Sequence, residues 1–525
     1  MHRPPTAETE LAEELAVVRP ALGPRFAAAL PGARSAVLTR LWRGLAHEPL
    51  PWIAGRAQAD REPGGGAGEE GDRGELLLRL RDGRRLHGPR SDPYASADRV
   101  TRVWLERTAY DDPARLMAAL AVPHGADFAA ELGHSVASMA LSRAGQDPLD
   151  TPLDTPSSDP RRWPARDWEW ERRVVDGHPF HPNCRSRPDF SVAEQLAYGP
   201  EHGPAVRLGL LPVPADECLV SGDWPEHLRD GTRLLIPVHP WQAAHVLKRT
   251  CAQGVTARPL MSLRTLALPG GPHVKTALST RLTSSVRDIS VGSVAASAAL
   301  SDFGQSLTPH TDGLLHLTRS LGAATARSPD LAAVLRESPD VYAAPGEHVV
   351  PVAALAVTGL PRSPLWLARF ARLALGVGLR LLELGVALEA HGQNLLVVLS
   401  ATGAPVRLVY RDLADIRVSP ARLARHGVAL PDGVPARIRT DDETALRRKL
   451  FGSLVAGALA GTAGDGPALG AALAAAVRDL PRTPDLAALC GEPLPAKALT
   501  LMRLSPGAPG DRWALLPNPL RGDGN

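Results

Sequence analysis

Two hydrophobic periodicities divide this chain. Over residues 8–60 apolar positions recur at steps of three and four, the spacing of amphipathic helices. The run LLLRLRDGRRLHG alternates about Asp82-Gly83 and predicts a β-hairpin. SADRVTRVWLERTA and PARLMAALAVPHGADFAAELGHSVASMALSRA return to the helical period. From 165 to about 300 short apolar runs stand between prolines and glycines; AVRLGLLPV, TRLLIPVHPW and HVKTALSTRLT read as strands. Helical spacing resumes from about 325 and peaks in PLWLARFARLALGVGLRLLELGVALEAHGQN. LLVVLSATGAPVRLVYRD then predicts a second hairpin near 395–412, and the Ala-rich remainder reads as helix. The pattern predicts an α+β fold with three segments: a helical lobe at 1–164, a β-rich lobe at 165–324 and a helical lobe with a hairpin at 325–525. REPGGGAGEEGDRGE reads as a flexible loop, and the Pro/Asp/Ser-rich stretch 145–164 as the first boundary.

Composition narrows the function. The 525 residues carry 59 basic and 56 acidic side chains, a balance that leaves no basic block for a nucleic-acid backbone. The basic residues are nearly all arginine, and lysine occurs only at 248, 275, 449 and 497, so a lysine inside a polar cluster is informative. Cys184, Cys218, Cys251 and Cys490 form no CxxC pair, which suits a reducing cytoplasm. The N-terminus lacks the apolar core of a signal peptide, and the most apolar segments, near 370–390 and 451–478, are interrupted by charge or glycine and read as buried helices, not membrane spans.

Four polar clusters remain. In GHPFHPNCRSRPDF (177–190) each histidine precedes a proline, which excludes a helical turn. His178 and His181 could bind metal only with a third ligand, for which Cys184 is a weak candidate. Arg185 and Arg187 offer forks for phosphate or carboxylate. IPVHPWQ (236–242) repeats the His-Pro pair at a strand end, and His239 and Trp241 read as structural. MSLRTL (261–266) and HVKTALSTRLTSSVRDI (273–289) place Ser262, Arg264, Lys275, Arg281, Thr283, Ser284 and Arg287 in a dense run of hydroxyls and cations, fit for a polyphosphate with a carboxylate. EAHGQN (389–394), followed by Arg411-Asp412, supplies Glu389, His391, Gln393, Asn394 and Asp412; the oxygens suit a hard cation, and the hairpin turn should return Asp412 to the Glu389–Asn394 run. There is no Walker A loop, GxGxxG or GxSxG elbow.

In order and spacing these motifs, with the pairing of SLRT and K-T-x-x-x-x-R-L-T-S-S-x-R, resemble the NRPS-independent siderophore synthetases of the aerobactin-synthetase-like IucA/IucC family, over roughly 165–415. The resemblance implies a cupped hand of helical thumb, β-rich fingers and helical palm. It implies adenylation of a carboxylic acid by ATP and Mg²⁺, release of pyrophosphate and AMP, and acyl transfer to an amine or hydroxyl. By position, His178, Ser262, Arg264 and Lys275 would hold the phosphates, with Arg185 and Arg187 beside them. Thr283, Ser284 and Arg287 would face nucleotide and acid, His391 would touch the acid, and Glu389, Asn394 and Asp412 would order metal and nucleotide. Arg287, His391 and Lys275 are thus the expected catalytic groups. Citrate is the preferred acid, with 2-oxoglutarate or a citryl or succinyl monoamide as alternatives. The partners expected are small molecules, with no nucleic acid and no membrane, and homodimers are common in the family. Two positions depart from its pattern: Arg185 stands where lysine is usual, and Asp189 where glycine is. The chain is also short for the family. The competing classes are a metal-dependent hydrolase built on His178, His181 and His239, and a non-catalytic binding protein of the same fold.

Overall fold

The computed structural model describes residues 6–59, 74–96, 99–146, 157–283, 285–508 and 510–521. Most of the expected glycine-rich loop and residues 147–156 of the expected boundary lie outside the described residues, as does Ser284.

Helices α1 (Ala7–Val18) and α2 (Gly23–His47) open the chain. Thr6 caps α1, accepting the Thr9 N–H, and α2 buries Leu38, Leu41, Trp42 and Leu45 in a core shared with a later helix pair. The helical reading fails beyond His47. Residues 53–59 form β1 (Ile53–Ala59), paired with β2 (Glu75–Leu80), which forms the predicted hairpin with β3 (Arg85–Pro89). The segment read as a helix at SADRVTRVWLERTA contains a second hairpin, β4 (Val103–Leu105) and β5 (Thr108–Tyr110). Its signal was period two: Val103 and Leu105 are buried, Trp104 between them is not, and Glu106 turns the chain at φ 54°. Strands β1 to β5 make a five-stranded sheet in chain order, followed by α3 (Pro113–Leu120) and α4 (Gly125–Ala144).

Helix α5 (Asp167–Arg172) leads into β6 (Val206–Pro214), β7 (Leu219–Gly222), β8 (Arg229–Asp230), β9 (Arg233–Val238), β10 (Ala252–Pro259), β11 (Thr265–Ala267) and β12 (His273–Thr276). A small hairpin, β13 (Leu278–Leu282) and β14 (Ser285–Arg287), stands apart. Further on come β15 (Leu315–Leu317), β16 (Ser320–Ser328) and β17 (Leu331–Arg336). Among the described residues nine strands form one sheet in the order β7-β16-β17-β12-β11-β10-β6-β9-β8. Strand character therefore runs past 325, where helix was expected. All six residues of β17 are buried, because it lies between β16 and β12, and a short run buried on both faces carries no alternation to distinguish it from helix.

Strand β18 (His348–Pro351) then pairs with β19 (Leu395–Leu399), which forms the expected hairpin with β20 (Pro405–Tyr410); Leu395 sits opposite Tyr410. Beneath them lies the long helix Pro364–Leu384. Ser363 caps it, Pro364 opens it, and Gly385 ends it at φ 107°, where a Cβ would sit 2.7 Å from that of Arg422. Among the described residues no helix is long and apolar enough to cross a membrane, and all four cysteines are free thiols.

Candidate active site

Two turns bring polar clusters together, and a third, at His239, repeats their local geometry elsewhere. Gly177, at φ 71°, admits the chain into the His-Pro loop; a Cβ there would lie 3.2 Å from Cys184 Sγ. His178 Nδ1 then accepts the Phe180 N–H at 3.1 Å. His391 Nδ1 accepts the Gln393 N–H at 3.2 Å, and His239 Nδ1 accepts the Trp241 N–H at 3.2 Å. Accepting at Nδ1 assigns the proton to Nε2, so in each ring the remaining polar atom is a donor. Burial pushes His178, His391 and His239 below the ordinary imidazole value, His239 to about 3. Neutral Nε2–H groups of this kind suit an oxyanion.

His178 and His391 share one cavity with Glu389, Arg43, Lys449 and Lys497. Lys497 donates to Glu389 Oε1 at 2.9 Å and Lys449 to the same oxygen at 3.2 Å. Burial would raise the Glu389 carboxyl, but Lys497 and Lys449 outweigh it and hold it below its usual value. Sequence reasoning missed Arg43, Lys449 and Lys497. The scarcity of lysine was a usable signal: three of the four lysines, 275, 449 and 497, lie in this region.

Adjoining the cavity, Lys275 on β12 donates to Asp412 Oδ2 at 2.6 Å, and Arg336 on β17 stands 3.8 Å from the same oxygen. Burial would raise Asp412, yet Lys275 and Arg336 hold it far below the carboxylate range. Burial lowers Lys275 to about 8 and Arg264 to about 10, in each case against the pull of Asp412. Arg287, also lowered by burial, lies within electrostatic reach of Asp412 and Glu389. Arg264 donates to the carbonyls of Arg287 and Asp288, both at 2.6 Å. The hairpin does return its far strand as expected: the Arg411 N–H donates to the Asn394 carbonyl at 3.0 Å. Three left-handed non-glycine residues lie here. Leu263, between Ser262 and Arg264, has φ 61°, Thr283 has φ 61° and Asp412 has φ 78°; a left-handed conformation costs a non-glycine residue ~1–3 kcal/mol and commonly marks a functional turn.

Other expected members are engaged elsewhere. Arg185 and Arg187 are buried and share Glu201, at 3.3 and 2.7 Å, which occupies their forks with a protein carboxylate instead of a ligand. Ser262 caps its own turn, hydrogen-bonded to Thr265, and Thr283 donates to the Cys184 carbonyl at 3.3 Å. Among the described residues the Asn394 side chain makes one long contact, 3.5 Å, to the Glu389 carbonyl. Among the described residues no three His, Cys, Asp or Glu side chains are arranged to hold a metal ion. His239 caps the turn after β9 beneath Tyr198, and a zinc-type triad with His178 and His181 does not form.

These features define a mixed α/β protein with a buried, predominantly basic cleft, fed from one side by the nine-stranded sheet and from the other by the segments around the second hairpin. A family model described as the IucA / IucC family matches residues 167–357, and one described as a ferric iron reductase FhuF-like transporter matches 364–511. Residues 167–357 of the chain are thus assigned to the IucA / IucC family. Among curated relatives, the citryl-spermidine/3,4-dihydroxybenzoyl-citryl-spermidine:spermidine ligase of Bacillus anthracis is 24% identical over 315 residues, 47% of this chain and 51% of that protein. The chain thus spans about half the length of such relatives. In fold it is similar to the petrobactin biosynthesis protein AsbB of B. anthracis str. Sterne (TM-score 0.73, 18% identity, 95% of this chain and 98% of that one). It is also similar to ATP-bound aerobactin synthetase IucA from Klebsiella pneumoniae (TM-score 0.69, 18% identity, 93% and 99%).

Proposed function

We propose that the protein is an ATP-dependent siderophore synthetase that joins a carboxylic acid, preferentially citrate, to an amine or hydroxyl. The observation that carries this reading is the gathering of Lys275, Arg264, Arg336 and Arg287 round Asp412, within electrostatic reach of a cavity lined by His178, His391, Lys449 and Lys497. Relatives support it: the B. anthracis ligase is named for citryl-spermidine chemistry, and the K. pneumoniae synthetase was solved with ATP bound. In this reading residues 1–164, 165–324 and 325–525 act as thumb, fingers and palm of a cupped hand in the cytoplasm, with the site between fingers and palm.

A carboxylate oxygen of the acid attacks the α-phosphorus, the bond to the bridging oxygen breaks, and pyrophosphate leaves. Charge builds on the phosphate oxygens, where Lys275, Arg264 and Arg287 are already fixed. The Nε2–H groups of His178 and His391, with Lys497 and Lys449, orient the acid. The amine or hydroxyl then attacks the acyl carbon and AMP departs, so no side chain need act as nucleophile. Glu389 and Asp412, both held ionised, and Asn394 are the residues that would hold magnesium, whose usual ligands are one or two carboxylates plus phosphate oxygens. When bound it supplies neutralisation of the phosphate charge. Arg185 and Arg187 serve the loop, not the phosphates.

The test is pyrophosphate release from ATP and Mg²⁺ across a panel of acids (citrate, 2-oxoglutarate, citryl and succinyl monoamides) with a panel of amines. Acid-dependent release, largest with citrate, is expected. No release with any acid would mark a binding protein of this fold.

A further inference from the structure

Glu171 is a buried carboxylate, 1% exposed, on α5, a segment with no place in the chemistry above. One oxygen, Oε2, accepts the Met261 N–H at 2.7 Å. The other, Oε1, lies 2.6 Å from Arg411 Nη1, an ion pair, not an aligned hydrogen bond. Arg411 is 6% exposed; its Nε donates to the Gln393 carbonyl and its backbone N–H to that of Asn394, both at 3.0 Å. A single side chain therefore ties together two turns from opposite sides of the cleft. Met261 opens the turn that carries Ser262 and Arg264 through the left-handed Leu263. Arg411 immediately precedes the left-handed Asp412, which faces Lys275. Both turns hold a non-glycine residue in a conformation that relaxes unless its surroundings fix it.

We infer that Glu171 is a positioning residue: it sets the separation of the Ser262–Arg264 turn and the Gln393–Asp412 segment and so the geometry in which ATP and acid meet. It rests on the synthetase reading for its consequence, though not for its geometry. A buried carboxylate suits this task because its charge demands partners on both oxygens, and the partners available belong to the two turns.

The variants are Glu171→Gln, Arg411→Gln and the double substitution. Hydrogen exchange followed by mass spectrometry should show faster exchange in both 261–265 and 393–412, with the rest of the nine-stranded sheet unchanged. In the pyrophosphate assay KM for ATP and for the acid should each rise about tenfold, as expected for misplaced substrates, and the double variant should be no worse than the worse single one. Should Glu171→Gln fail to fold, Glu171→Asp, one methylene shorter, carries the same measurements. Faster exchange throughout the molecule, no change in either segment, or lost kcat at unchanged KM would each overturn the assignment. If the wild-type chain releases no pyrophosphate, the synthetase reading fails separately and the exchange pattern alone decides for or against Glu171.

Discussion

Arg185 and Arg187 share Glu201 where no side chain of the three is more than 6% exposed, whereas Lys275, Arg264 and Arg287 gather round Asp412, which retains 28% exposure. The first cluster is closed. Ser142 donates to Glu201 at 2.9 Å, and Arg185 donates to the Val174 carbonyl, so the carboxylate and its guanidiniums are largely occupied from within. Burial would raise Glu201, but Arg187 and Arg185 hold it well below its usual value. The second cluster is open and has more positive charge than Asp412 can neutralise, in a position where solvent or a ligand can enter. Two groups of basic residues thus differ in what completes them: protein in one, an anion from outside in the other.

The largest effect expected from this contrast is on stability. Glu201→Gln should destabilise the fold by ~3–5 kcal/mol, the cost of leaving one side of a buried ion pair without its partner. Urea unfolding would read it, and the folded fraction should keep its pyrophosphate release. A variant of normal stability that had lost activity would transfer the phosphate role back to Arg185 and Arg187.

In the open cluster the effects should exchange places. Arg287→Ala and Lys275→Ala should each lower acid-dependent pyrophosphate release by ~10²–10³-fold, the range for losing one fixed donor to developing charge. Their unfolding midpoints should hardly move, because Asp412 keeps Arg336 at 3.8 Å when Lys275 is removed. Full activity in Arg287→Ala would remove that residue from the site.

A smaller effect follows from pH. Lys275, brought down to about 8, is charged below that value and neutral above it. The kcat/KM for ATP should therefore fall as pH rises through about 8, by up to ~10-fold per pH unit if the charged form alone is active. Stability should move the other way: between about 8 and the ordinary lysine value the unfolded chain binds the proton more tightly than the folded one, so stability rises with pH there. Lys275→Arg should shift the activity limb upward. A profile flat from pH 7 to 10 in the wild type would show that the lysine charge is not used.

What the sequence made legible follows the same division. The second hairpin was readable because two β-rich runs flank a short turn, and its register returned Arg411 to Asn394. The His-Pro loop at 177–190 was readable as non-helical, but the Nδ1 contacts that fix the histidine tautomers depend on backbone geometry that composition does not encode. Strand β17 was missed because a short run buried on both faces carries no alternation, whereas β4 was missed although Val103 and Leu105 alternate about Trp104. Lys449 and Lys497 were missed because their role depends on Glu389, 60 and 108 residues away in the chain. Arg185 and Arg187 were misplaced for the converse reason: a nearby sequence neighbourhood did not reveal that Glu201 completes them.

The smallest effect concerns Asp189, where the family pattern has glycine. A carboxylate so close to the His-Pro loop would oppose phosphate binding if it faced the cleft. Instead Thr280 on β13 donates to its Oδ2, and its carbonyl accepts the Trp241 indole N–H at 3.3 Å. Trp241 stacks on Phe190, 5.2 Å between centroids, so Asp189 belongs to the packing of β13 against this aromatic pair. Its backbone is not in the left-handed region, and glycine would bring no conformational relief. Asp189→Gly should then cost ~1 kcal/mol, the worth of a side-chain hydrogen bond plus some backbone entropy, and leave KM for ATP and the order of preference among acids unchanged. A drop in KM for ATP of tenfold or more would show that the charge reaches the phosphates after all, and that this chain differs from its relatives in the site itself.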